Sequence, residues 1–234
     1  MNLSPADVTR GNQNGSSTPL ENPAFETQRP GAEPVAHVSN PAGFEEAYAG
    51  TPPWDIGRPQ PAFLQIAQAG ALRGRVLDIG CGTGEHALMA AALGLEAVGI
   101  DSAPTAIKLA EEKARTRNLA ARFILADALN IAQLGEQYDT VLDCGLFHTF
   151  DDPDRIRYEA GLRSAVASGG RYYLLCFSDL QPGAMGPRRV SQAEIRACFA
   201  TGWRVESIDA ATIAVNPGIL PDDPRAWLAL IVRT

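Results

Sequence analysis

From Pro61 onward, two hydrophobic patterns alternate along the chain. Short apolar runs at 75–79, 97–101, 123–126, 140–144 and 171–177 read as strands. The stretches between them at 84–93, 104–118 and 153–167 read as helices, and 63–69 opens the series as another. Runs that are apolar throughout, rather than alternating, are buried on both faces, which marks a parallel sheet covered by helices. Crossovers in such a sheet are right-handed. Further on, 191–199 reads as a helix, with Ser191 as its cap and Glu194 placed to close a capping box. Ser102 is likewise placed to cap the helix at 104–118. Residues 203–208 alternate apolar and polar positions, and 227–232 form a last apolar run. No helical stretch separates these two, so they are expected as an antiparallel pair.

Residues 1–40 break the pattern. They are rich in Asn, Gly, Ser, Thr, Pro and Glu and poor in large apolar side chains. Such a composition cannot offset its own ordering entropy, so a disordered tail, or a lid that orders only over a ligand, is expected. Residues 42–48 carry a short helical pattern, and the proline-rich stretch at 51–61 is rigid and irregular.

Composition narrows the classes. The 234 residues carry a net charge of −7 and no long Lys/Arg run, which argues against nucleic acid as the partner. No apolar stretch is long enough to span a bilayer, and the first residues lack a signal-peptide core; a cytoplasmic monomer is expected. Cys81, Cys144, Cys176 and Cys198 form no CxxC pair, so no disulfide framework is expected. His37, His86 and His148 lie far apart, and no metal site is expected.

The strand ends point to a ligand site. Four expected strands end at or beside Asp78, Asp101, Asp127 and Asp143, and a fifth is followed by Ser178 and Asp179. In a parallel sheet these ends share one edge, where open α/β sheets bind ligands. Aspartate also simply ends strands and caps helices, but the group as a whole favours a polar cleft. The sharpest local signal there is Val76-Leu-Asp-Ile-Gly-Cys-Gly-Thr-Gly84, which follows a strand and opens a helix. Glycines allow the backbone to approach a ligand closely, and the helix start offers free N–H groups. A dinucleotide fold wants GxGxxG; here the third glycine comes one place early, and Glu85 would set a carboxylate against a pyrophosphate. A nicotinamide cofactor is therefore the weaker reading.

The run Asp78-Ile-Gly-Cys-Gly-Thr-Gly84 is similar to the first motif of the class I S-adenosylmethionine-dependent methyltransferases. The resemblance implies a Rossmann-like, seven-stranded, mostly parallel sheet with helices on both faces and an antiparallel C-terminal pair. It implies that Gly80, Cys81 and Gly82 line the cofactor's methionine part and that Asp78 orients the loop or the amino group. It also implies that Asp101, with Ser102, takes the ribose hydroxyls and that Asp127 and Ala128 meet the adenine. Thr51-Pro-Pro-Trp-Asp-Ile-Gly-Arg58, with Pro61, resembles a segment of the thiol and halide methyltransferases, which are related to the thiopurine enzymes. The stretch from Tyr138 to His148, with Arg155, Arg157 and Tyr158, resembles their fourth-strand region, and the likeness covers residues 48–234. This chain departs from it in an extra proline at 52 or 53. It also has Cys144-Gly145 where plant halide enzymes carry an aromatic residue and a small one. It looks closer to bacterial relatives that methylate small hydroxylated heterocycles, such as hydroxyquinolines, or small thiols. On this reading 41–60 covers cofactor and substrate, and 61–234 is the methyltransferase domain.

The expected activity is methyl transfer from S-adenosylmethionine to a small aromatic acceptor, leaving S-adenosylhomocysteine, in a detoxifying role. A thiol or halide methyltransferase and a non-catalytic cofactor-binding regulator stand as alternatives. Trp54 offers an indole face to the sulfonium cation, worth about 0.5–2 kcal/mol, or it pins the N-terminal segment to the core. His148 stands either as a general base for a hydroxyl acceptor or as pocket wall. Cys144 is expected beside the cofactor, and Tyr48, Phe147, Phe150 and Phe177 beside the acceptor. Arg188 and Arg189 follow a Gly/Pro-rich loop and either hold an acidic substrate group or form a solvated pair.

Overall fold

The structure, a computed structural model, describes residues 41–220 and 222–234. The expectation of a disordered tail or lid at 1–40 lies outside the described residues. Seven strands form one sheet: β1 (Arg75–Ile79), β2 (Glu96–Asp101), β3 (Ala121–Leu125), β4 (Tyr138–Cys144), β5 (Val166–Phe177), β6 (Trp203–Thr212) and β7 (Arg225–Arg233). Their order is β3-β2-β1-β4-β5-β7-β6. The first five run parallel, whereas β7 is antiparallel to both β5 and β6. The helices are α1 (Pro41–Ala47), α2 (Pro61–Gln68), α3 (Glu85–Ala92), α4 (Pro104–Arg117), α5 (Asp152–Ala165) and α6 (Gln192–Cys198).

Alternation along the strands sorts the core into two layers. Leu77, Ile79, Tyr172 and Leu174 pack with Tyr158 and Leu162 of α5 and Ile195 of α6 on one face. Val76, Leu142, Tyr173 and Leu175 pack with Phe63 of α2 and Met89 of α3 on the other. The strand order reverses at β1, whose neighbours are β2 and β4. A crevice therefore opens beyond the carboxyl ends of β1 and β4, where doubly wound sheets bind ligands.

Local chemistry sets most boundaries. The Ser191–Glu194 capping box forms as expected. Asp151 caps α5 through the N–H of Asp154, and Asp127 caps a short 3₁₀ turn through the N–H of Leu129. Ser102 does not cap α4: its N-cap is Ala103, and Glu45 of α1 reaches across to accept from the Thr105 N–H and hydroxyl. The α5–β5 junction also differs from expectation. α5 stops at Ala165, Val166 already pairs with Tyr138, and pairing then skips to Thr140–Arg171. The intervening residues bulge outward; Gly169 adopts φ +71°, and a Cβ on Gly170 would meet the Ala167 carbonyl at 2.7 Å.

Candidate active site

A cleft of about 440 Å³ opens along the carboxyl edge of the parallel strands. Its floor comes from Gly80–Thr83 after β1, Asp101 and Ser102 at the end of β2, Ala126–Leu129 after β3, Cys144–Leu146 after β4 and Phe177 of β5. The aspartates that end the strands divide into two tiers. Asp101 and Asp127 line the cleft, whereas Asp78 and Asp143 do not and are buried beneath it. Asp78 accepts the Ala87 N–H and so holds the first turn of α3. Its other oxygen has no hydrogen-bond partner among the described residues and faces His86 Nδ1 at 3.5 Å. His86 Nε2 accepts the Gln60 N–H, so the neutral ring carries its proton on Nδ1, toward that oxygen. Asp143 accepts from Tyr158 and Tyr172 at 2.7 Å each and from the N–H groups of Leu146 and Phe147. Burial pushes its carboxyl up despite these four donors.

Asp101 is positioned from both sides. The Gly82 N–H donates to one oxygen at 2.8 Å and the Ala103 N–H to the other at 2.9 Å. Each oxygen keeps a lone pair for a ligand hydroxyl. Burial raises its pKa, opposed by these hydrogen bonds and reinforced by the Asp78 charge. Burial likewise pushes the thiols of Cys81 and Cys144 well up, so both are neutral walls of the cleft.

The segment ahead of α2 forms a wall over the glycine loop. Trp54 Nε1 donates to the Tyr48 hydroxyl at 3.2 Å, and both rings line the cleft. The hydroxyl lies so close to Gly82 that a Cβ there would sit 2.7 Å from it, and Gly82 has φ +51°. Thr83 donates to Asp55 at 2.7 Å, and Lys113 donates to Thr83 and to Glu85. Arg117 makes a two-pronged contact with Glu85. Burial alone would raise the Glu85 carboxyl, but Arg117 and Lys113 outweigh it and hold it below the ordinary range.

The far side of the cleft contains His148, Phe150 and Phe177. His148 Nδ1 accepts the Phe177 N–H at 3.0 Å, which consumes that lone pair and sets the proton of the neutral ring on Nε2. In this tautomer the ring is a hydrogen-bond donor and has no lone pair left to act as a base. Three expected acceptor contacts lie elsewhere. Phe147 is fully buried, against Phe199 and Tyr158 and beneath the Arg155 guanidinium. Successive side chains of the 3₁₀ turn at Phe147–Thr149 point about 120° apart, so Phe147 enters the core while His148 and Thr149 line the cleft. Arg188 pairs with Asp152 and Glu194, and Arg189 with carbonyls of its own loop; neither lines the cleft. Lining residues absent from the sequence-based expectation include Arg58, Met185, Val215 and Ile219. Among the described residues, Arg58 is exposed, has no hydrogen-bond or ion-pair partner, and is the one Lys or Arg lining the cleft. Proline–glycine turn signals at 182–187 and 216–218 marked these loops, but their contact with the cleft is long-range. No group of three or more potential metal ligands occurs among the described residues.

Comparison with known proteins agrees with this geometry. Residues 76–170 match the family described as "Methyltransferase domain". A 2-heptyl-1-hydroxyquinolin-4(1H)-one methyltransferase of Mycobacteroides abscessus is 38% identical over 73% of this chain and 77% of its own length. A probable thiol methyltransferase of Arabidopsis thaliana is 28% identical over 75% of this chain and 79% of its own length. A solved structure from work on converting a disulfide bond into a thioacetal group during echinomycin biosynthesis is 38% identical. It covers 81% of this chain and 88% of its own, with a TM-score of 0.73. The magnesium protoporphyrin IX methyltransferase of Synechocystis with bound S-adenosylmethionine shares the fold at 21% identity and a TM-score of 0.58, covering 74% of this chain and 76% of that one. The chain belongs to the class I S-adenosylmethionine-dependent methyltransferases, and S-adenosylmethionine is its cofactor. The residues present fit that group: Asp101 is an anchored acceptor with a lone pair free on each oxygen, and the backbone of Gly80–Thr83 lines the cleft beside it.

Proposed function

We propose that this enzyme methylates an oxygen or nitrogen of a small hydroxylated aromatic heterocycle. The observation that carries the reading is the 38% identity with the hydroxyquinolinone methyltransferase across most of both chains. The far side of the cleft supports it, because Phe150, Phe177, Ile213 and Val215 give a flat acceptor apolar walls. Bound S-adenosylmethionine supplies a methyl group activated by a sulfonium cation. On this reading Gly80, Cys81 and Gly82 hold its methionine part, with Arg58 as counter-ion to the carboxylate. Asp101 and Ser102 take the ribose hydroxyls, Asp127 and Ala128 meet the adenine, and Trp54 faces the sulfonium beside Cys144. Tyr48, Phe150 and Phe177 enclose the acceptor. An acidic ring hydroxyl reaches the cleft already ionised, so no side chain needs to remove its proton, and His148 orients it as a donor. Alignment and exclusion of water then provide most of the acceleration. The four unpaired cysteines fit a reducing cytoplasmic setting, and capping a reactive hydroxyl fits a detoxifying role.

The likeness to the plant thiol methyltransferase, with the Trp54 segment, favours thiols as a second reading. A screen of purified enzyme with labelled S-adenosylmethionine, read by mass spectrometry, separates the two. Product on hydroxyquinolinones is expected. Product on bisulfide or aryl thiols alone would replace the first reading with the second. Tight cofactor binding without any product would favour a regulator.

A further inference from the structure

Two loops at the cleft mouth hold large apolar side chains in water. Met185, between β5 and α6, is 52% exposed, and Ile219, between β6 and β7, is 40% exposed; both line the cleft. A single exposed apolar side chain is ordinary. These two differ because the backbone under each is braced. Arg189 donates to the carbonyls of Gln181, Gly183, Met185 and Pro187 while its guanidinium stacks on Phe177, 5.4 Å from the ring centre. The other loop is anchored at Ala214, where the Gln60 side chain accepts from the N–H and donates to the carbonyl. Asn216 is tied to the carbonyls of Pro52, Pro53 and Asp55, and the Ile219 N–H donates to Asn216. Arg225, at the start of β7, donates to Leu180 and to the Gln181 side chain, so the loops share a base. The apolar wall of Phe177, Ile213 and Val215 therefore continues outward onto Met185 and Ile219.

We propose that this mouth is a subsite for an apolar extension of the acceptor, a chain or fused ring that runs from the methylated ring out over Met185 and Ile219. The proposal rests on the small-molecule acceptor reading above. Met185 and Ile219 determine specificity by contact, and Arg189 is a positioning residue that acts through the loop. Burying each methylene of such an extension tightens binding of ground and transition states alike, so the gain falls on KM.

The test is steady-state kinetics with 1-hydroxyquinolin-4(1H)-one bearing hydrogen, methyl, pentyl or heptyl at carbon 2. In the wild type, kcat/KM should rise about three- to fourfold per methylene until the chain passes the mouth, with kcat nearly constant. Met185→Ser and Ile219→Ser should flatten that rise and leave turnover of the bare ring within about twofold. Arg189→Ala should raise KM for the heptyl compound about tenfold while sparing kcat on the bare ring. Thermal melting should show all three variants folded. No dependence on chain length in the wild type would overturn the subsite, as would an unchanged slope in both serine variants. If no quinolinone is methylated but thiols are, the acceptor reading fails separately. The same slope, measured from ethanethiol to octanethiol, then decides the subsite.

Discussion

Asp101 carries the sharpest prediction at the scale of single residues. Its carboxylate is held by two backbone N–H groups with lone pairs to spare, so Asp101→Ala should weaken S-adenosylhomocysteine binding about 10- to 100-fold by calorimetry. An unchanged affinity would remove it from the cofactor site. Burial raises its pKa, so in the free protein it takes up a proton above the ordinary aspartate value of about 3.9. Cofactor affinity should therefore decline on acidification before ordinary carboxylates titrate. The effect on folding has the opposite sign: a raised carboxyl favours the folded state below its pKa and loses that contribution as pH rises through it. Acid should thus weaken binding without this group lowering the melting temperature. His148 gives a second prediction. With Nδ1 occupied by the Phe177 N–H, the ring donates from Nε2, so His148→Gln, which keeps a donor, should retain more activity than His148→Phe. Equal loss in both, with the acidic limb of the pH profile abolished, would restore the base. Asp101 and Asp127 were legible in the sequence because a strand end in a parallel sheet can only face one edge. Phe147 was not, because which side of a three-residue 3₁₀ turn faces the core depends on tertiary packing.

At the scale of elements, the buried Asp143 joins β4, β5 and α5 through Tyr172 and Tyr158, and it fixes the turn that presents His148. Each hydroxyl removed leaves the carboxylate with one donor fewer in a site where water cannot substitute. Tyr158→Phe should cost about 1.5–3 kcal/mol in urea unfolding and push the Asp143 carboxyl further up. Tyr172→Phe should act similarly, and the double variant should lose more than the sum, since the pair shares one oxygen. Simple additivity would show that the network is not cooperative. The elements themselves were readable from their apolar runs, and the cap at Ser191 from its spacing to Glu194. The bulge after α5 was not, because Ala165-Val166-Ala167 suits the last turn of a helix as well as the start of a strand, and only cross-strand pairing of Val166 with Tyr138 sets the break. Nor was the α4 cap: the carboxylate that serves it arrives from α1, 60 residues earlier in the chain.

At the scale of the molecule, the sheet edge presents the glycine loop and Asp101, and residues 48–60 stand over that edge as one wall of the cleft. Polar ties hold the segment there from two sides. Asp55 accepts from Thr83, and the Gln60 side chain clamps both backbone groups of Ala214, 154 residues away. No local pattern could announce the second tie, since its partners meet only once β6 and β7 have closed the sheet. The Gln60 clamp is buried, so Gln60→Ala strands an N–H and a carbonyl and should cost on the order of 2 kcal/mol. The cost should appear locally: faster hydrogen exchange at 52–60 and 213–216, with β1, β4 and β5 still protected. Since the catalytic groups are untouched, KM for S-adenosylmethionine should rise while turnover at saturation is largely kept. If exchange at 52–60 does not change, the segment is held by its aromatic contacts alone. If protection is lost through the central strands as well, the clamp belongs to the global fold. The expected pattern, local opening with a weakened cofactor grip, would mean that a glutamine at the edge of the site controls how tightly the cleft is closed over its ligand.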